Sequence, residues 1–167
     1  MSRLGAITTT TVALLFILSP RAIGEENSLK AQLVGTWIYA SVDTVRPDGT
    51  RVPMFGPAPS GIASFDTHGH YVLLTARSDL APFGASNRMA GSADEYKAVV
   101  QGSIAHFGRY TVNESDKTIT FHIQTSTFPN WNGAEQKRPF TIHGDELKWT
   151  TAASSGGTAE VVLRRAK

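Results

Sequence analysis

The side chains with chemical potential in this sequence are Tyr39, Asp43, Tyr71, His106, Tyr110, His122, Trp131, Gln136 and Arg138. Gathered on one wall, such a set is the usual make-up of a small-ligand site: aromatic surface plus a few convergent polar groups. The ligand-binding expectation falls on Tyr39, Tyr71, Tyr110, His122, Trp131, Gln136 and Arg138. His106 or His122 beside Asp43 would also form a general acid/base pair, because an imidazole near its ordinary pKa suits proton transfer. The bland alternative is that Trp131 caps a loop, Arg138 pairs with Glu135 and the tyrosines fill core. His68-Gly69-His70 has an i, i+2 spacing found in metal sites, but Gly69 sits in a turn and no carboxylate follows until Asp79. We therefore expect no metal and no cofactor. With no cysteine in the chain, thiol catalysis and Cys-ligated metals are excluded. Phosphate-cradling, dinucleotide-binding and nucleophile-elbow motifs are absent. Asn113-Glu114-Ser115 reads as a polar turn, although it is formally a glycosylation sequon.

The elements that must position these groups are short β runs separated by turn signals. Strands are expected at 33–45, 61–65, 71–77, 106–112, 118–128, 137–143, 146–151 and 158–165. Asp48-Gly49, 66–69, 113–116, 130–133, Gly144-Asp145 and 154–157 supply the turns. Residues 53–59 hold three prolines and read as a rigid loop. One helix breaks the series. Ser92-Ala93-Asp94-Glu95 is a capping box, Tyr96, Val99, Val100 and Ile104 follow at helical spacing, and Gly102 is the stop. The long loop before it, 78–91, is either a lid or a surface excursion.

Strand parity assigns faces. With Trp37 inward, Tyr39, Ser41 and Asp43 follow it, leaving Ile38, Ala40 and Val42 outside, where the helix would cover them. Arg138 shares a face with Phe140 and Ile142, which brings a guanidinium into the interior beside apolar walls. On 118–128, simple parity puts Ile119, Phe121 and Ile123 inside and His122, Gln124 and Ser126 outside. A polar pocket would reverse that assignment.

Short strands with regular turns fit a sandwich or a closed barrel. Gly35-Thr36-Trp37 on the first strand and Arg164-Arg165 on the last resemble the lipocalins, whose strand-one Trp is covered by a last-strand Arg. Arg164 is assigned that role here, with Trp37 as its partner. A guanidinium stacks on an indole face while donating to nearby carbonyls. Arg46-Pro47-Asp48-Gly49-Thr50, Ser126-Thr127-Phe128-Pro129-Asn130-Trp131-Asn132-Gly133 and Glu135-Gln136-Lys137-Arg138-Pro139-Phe140 extend the likeness. Together they resemble the lipocalin-like domain family of small, mostly bacterial proteins. The resemblance implies an all-β, antiparallel closed barrel of the lipocalin-like (calycin) type with one short helix and an interior cavity. It implies no reaction.

Residues 1–24 read as a secretory leader: Arg3, an apolar stretch ending in Leu14-Leu15-Phe16-Ile17-Leu18, and Ala22-Ile23-Gly24 before Glu25. The apolar stretch is about 12 residues, short of the roughly 20 that span a bilayer. Cleavage would leave 25–167 as one lipocalin-like domain, exported to the periplasm or secreted, with no stable membrane insertion. It would also remove Arg3 and Arg21 from the 16 basic side chains, leaving 14 against 14 acidic ones. A neutral domain of this kind has no electrostatic case for nucleic acid. The expected partner is a small apolar or amphipathic ligand held in the barrel. The alternatives are a small isomerase- or cyclase-like enzyme using a His/Asp/Arg pocket, or a protein-interaction module.

Overall fold

The computed structural model describes residues 28–154 and 156–167. The leader expected over 1–24 lies outside the described residues. The chain runs α1 (Leu29–Leu33), β1 (Gly35–Val45), β2 (Arg51–Pro53), β3 (Pro59–Phe65), β4 (His70–Arg77), α2 (Ala93–Gly102), β5 (Ser103–Asn113), β6 (Thr118–Ser126), a 3-10 turn (Pro129–Trp131), β7 (Glu135–His143), β8 (Glu146–Ala152) and β9 (Thr158–Arg165). Sequential strands pair antiparallel, and β9 returns to pair with β1 from Trp37↔Arg165 to Val45↔Thr158. Eight strands therefore close into a barrel, and β2 is an extra strand on the end of β1. Pro53 ends β2, inside the segment whose prolines suggested a loop alone.

Turn chemistry sets the hairpins. Between β3 and β4, Asp66 accepts the His70 amide at 2.8 Å, and Gly69 takes φ +84°, which a side chain would resist. Between β5 and β6, Asn113 Oδ1 accepts the amides of Ser115 and Asp116, each at 3.1 Å, so the sequon segment is a polar turn. Its neighbour Glu114 caps α1 by accepting the Leu29 and Lys30 amides at 2.8 and 3.1 Å. That five-residue helix, too short to register in the hydrophobic pattern, lies over one end of the barrel.

Trp37 plugs this end and is wholly buried, its Nε1 donating to Leu33 O at 2.8 Å. The covering guanidinium comes from Arg165, not Arg164: Arg165 Cζ lies 4.1 Å from the indole centroid and its nitrogens donate to the Val34 and Gln32 carbonyls. Alternation explains the correction. Arg165 is the register partner of Trp37 and follows Val161 and Leu163 on the inner face, so Arg164 turns outward to Glu146 at 2.7 Å.

Two β-bulges redirect the inner face. On β1 the register passes from Tyr39↔Leu163 to Ser41↔Val162, which leaves Ala40 as an extra residue. Val42 is consequently buried, and Asp43 lies on the outer side near Arg51 at 3.8 Å, against the inward parity expected. On β6 the shift from Gly108↔Ile123 to Phe107↔Thr125 leaves Gln124 unpaired and turns Ser126 inward. Gly108 makes this bulge possible, since a Cβ there would come within 2.2 Å of the His122 carbonyl oxygen. Ile119, Phe121 and Ile123 face in, as simple parity has it.

The capping box of α2 forms as its sequence requires, with Glu95 N donating to Ser92 Oγ and Ser92 N to Glu95 Oε2. The same carboxylate accepts the Gly84 amide at 2.6 Å, and Tyr96 packs on Phe83 while its hydroxyl accepts from Gly91 N. Loop and helix are thus one local unit. It does not cover Ile38, which stays 44% exposed; its C-terminal turn instead borders the open barrel end.

Candidate functional site

Inside the barrel, four strands bring together residues far apart in sequence. Tyr71 and Thr75 come from β4, His106 from β5, Gln136 and Arg138 from β7, and Trp149 from β8, all on inward positions. Arg138 is 3% exposed. Its guanidinium carbon lies 4.3 Å from the Phe121 ring centroid and 5.6 Å from that of Trp149. One nitrogen donates to Gln136 Oε1 at 2.6 Å, whereas Nε has no partner among the described residues. Among the described residues no carboxylate pairs with it. Burial pulls the Arg138 pKa down to about 10, with Tyr39 and Tyr71 opposing that shift.

His106 is equally buried, and its Nδ1 shares a hydrogen bond with the Tyr71 hydroxyl at 2.8 Å. Burial, then the positive charge of Arg138, push the imidazole down to about 3, so it is neutral at physiological pH. Tyr39 and Tyr71 are pushed well above the ordinary phenol range by desolvation. Trp131 stands on the 3-10 turn with its ring 5.7 Å from His106, edge to face, and lines the interior cavity.

A cavity of about 50 Å³ remains among Tyr39, Thr75, His106, Trp131, Arg138 and Trp149. Arg138 lines it and covers Phe121, which does not, so the guanidinium forms part of its floor. Trp149 and Thr75 share this lining, and Trp149 Nε1 and Thr75 Oγ1, like Arg138 Nε, are buried without a partner among the described residues. Trp149 and Thr75 were not singled out by sequence reasoning. Their inward parity was readable, but their lack of partners was not.

Several expectations need correction. His122 points outward and pairs with Glu135 at 2.7 Å, and Asp43 is outside as well, so no His–Asp acid/base pair assembles in the interior. Tyr110 is buried near the plugged end, donating to Asp66 O at 2.7 Å, and takes no part in the cavity. Phe140 and Ile142 face inward but do not line the cavity; Val42, Leu73 and Val161 do. His70 bonds Asp66 and faces Arg109, both contacts on the exposed turn.

A sequence model described as the lipocalin-like domain matches residues 34–164. The chain belongs to that family. A lipocalin-like barrel supports a ligand-binding role in general. One curated relative is the "4'-hydroxy-3'-methoxypropiophenone carrier protein ppsC" of Aspergillus oryzae, 29% identical over 69 residues. The match spans 38% of this chain and 62% of that protein's length. Among solved structures, the barrel is similar to a lipocalin-like protein from Bacteroides uniformis (13% identity, TM-score 0.46, 80% of this chain and 98% of that one). It is also similar to a de novo designed fluorescence-activating β-barrel (16% identity, TM-score 0.41, 81% and 96%).

Proposed function

We propose that this lipocalin-like protein is exported and binds a small, partly apolar molecule through an acidic or acceptor group. One observation carries the reading: a guanidinium buried in the barrel with no carboxylate among the described residues to balance it. A charge taken out of water is costly unless it is paired. A core position that keeps one unpaired is well suited to a ligand that supplies the partner. The charge-assisted bond orients that ligand, and burial of its apolar part adds affinity at about 25 cal/mol per Å². The Aspergillus oryzae relative is, by its printed name, a carrier for an aromatic ketone, a molecule that combines a ring with oxygen acceptors.

The test is direct. Protein purified without denaturation is analysed by native mass spectrometry for a retained small molecule, then stripped and titrated with aryl carboxylates while tryptophan fluorescence is followed. Trp131 and Trp149 flank the cavity and report on its occupancy. Saturable binding that weakens by about 10–100-fold in Arg138→Met is expected, the worth of one charge-assisted bond. No retained molecule and no saturable signal would defeat the reading. For export, the secreted or periplasmic protein is expected to begin at Glu25; a retained Met1 would contradict it.

A further inference from the structure

We propose that the ligand binds in two parts, an anionic head in the inner cavity and an elongated apolar body in a groove outside it, separated by Phe55. This rests on the ligand-binding reading above and narrows it to one class: amphipathic carboxylates with a slender head.

Size argues first. An apolar cavity of roughly 150 Å³ holds a single benzene ring. The inner cavity offers about 50 Å³. That is about a third of the benzene-sized volume, which suits a small head group better than a ring. Chemistry argues second. Three residues of the lining carry a buried side-chain atom without a partner among the described residues: Arg138 Nε and Trp149 Nε1, which can only donate, and the Thr75 hydroxyl, which is able to. No Asp or Glu lines the cavity. The best-matched head is acceptor-rich, as a carboxylate is; an amide or ammonium head offers no charge to Arg138, and its donors would have only lining hydroxyls such as those of Thr75 and Thr151 to receive them.

The body has a place of its own. At the open barrel end lies a groove of about 570 Å³ walled by Val52, Pro53, Met54, Val100 and Phe128, with no charged residue in its lining. Met54, Phe55, Ile104 and Ser154 line both spaces. Phe55 is 5% exposed and sits between Pro53, which fixes the approach, and Gly56 at φ +74°. Phe55 is the bulkiest of these shared residues, and displacing its ring would widen the passage between cavity and groove. The groove therefore continues the inner site, and an apolar chain attached to a bound carboxylate emerges there.

The test uses the full chain and a series of ω-phenylalkanoates, from benzoate to 5-phenylpentanoate, with the matching amides, read by calorimetry at pH 7. Affinity is expected to rise at least tenfold along the series until the ring clears Phe55, and each amide to bind at least tenfold more weakly than its acid. Val100→Asp, at a position 75% exposed and so no threat to folding, is expected to weaken the longest acid at least fivefold. Carboxylate binding indifferent to both chain length and Val100→Asp would overturn the two-part site while leaving interior binding intact. If no member binds but another small molecule is retained by the native protein and lost in Arg138→Met, the proposed class is wrong and the cavity reading stands. If nothing binds or is retained, both fall.

Discussion

Arg138 and His106 make the free barrel less stable than an apolar core would be, and each does so in a measurable direction. A lone buried cation held by one amide oxygen and two ring faces is poorly compensated. Arg138→Met is expected to raise the unfolding free energy by about 1–3 kcal/mol in urea while weakening carboxylate binding by about 10–100-fold. A loss of stability would make Arg138 a structural buttress instead. His106 acts through pH. Its folded value of about 3 lies below the ordinary 6.5, so the unfolded chain takes up the proton first as pH falls. The stability tied to its neutral form is complete above about pH 6.5 and drains away towards pH 3. The slope approaches 1.4 kcal/mol per pH unit. Between pH 6.5 and 5, before most carboxylates titrate, the native protein is expected to lose about 1.5 kcal/mol from this residue. His106→Gln, which keeps a polar partner for Tyr71, is expected to flatten that part of the profile. An unchanged slope would show that the imidazole titrates normally.

At the level of elements, the loop–helix unit and the bulges behave differently. Glu95 holds together the Gly84 amide, the Ser92 amide and the start of α2. Glu95→Ala is expected to raise amide exchange across 78–102 and to leave the global urea midpoint nearly unmoved, because α2 packs lightly on the barrel. A large drop in the midpoint would show that the unit is integral to the core. This part was legible beforehand: Ser92, Glu95 and Gly102 spell out a helix start and stop from local chemistry alone. Most strand bounds were legible for the same reason, and so was the inward turn of Arg138, two residues from Phe140. What was not legible depends on the neighbouring strand. Ala40 and Gln124 become bulged residues because β9 and β5 fix the register opposite them. No period-two reading of β1 or β6 alone reveals the insertion that moves Asp43 out and Ser126 in. Gly108→Ala should expose this dependence, costing more than about 2 kcal/mol since the new methyl would meet backbone rather than a yielding side chain. The groove beside Phe55 was hidden likewise, as its walls come from β2, α2, the start of β5 and the segment just before the 3-10 turn.

For the molecule as a whole, closure through β1 and β9 leaves one end plugged and one end open. Trp37 is the plug, wholly buried and tied to Leu33. Trp37→Ala should cost roughly 3–5 kcal/mol in urea melts, and a loss below about 1 kcal/mol would mean the end is not part of the cooperative core. The depth of Arg138 bears on the speed of capture as well as its strength. A charge displayed at a surface draws its counter-ion through solvent, and added salt weakens that pull over a Debye length of about 8–10 Å. A guanidinium on the cavity floor behind Phe55 and Trp131 is felt mainly after the ligand has arrived. Stopped-flow association with an aryl carboxylate should therefore proceed at nearly the same rate in dilute buffer and in roughly half-molar salt, above the range where surface steering is strongly screened. It should also level off at high ligand concentration, where displacement of the Phe55 ring, not encounter, sets the pace.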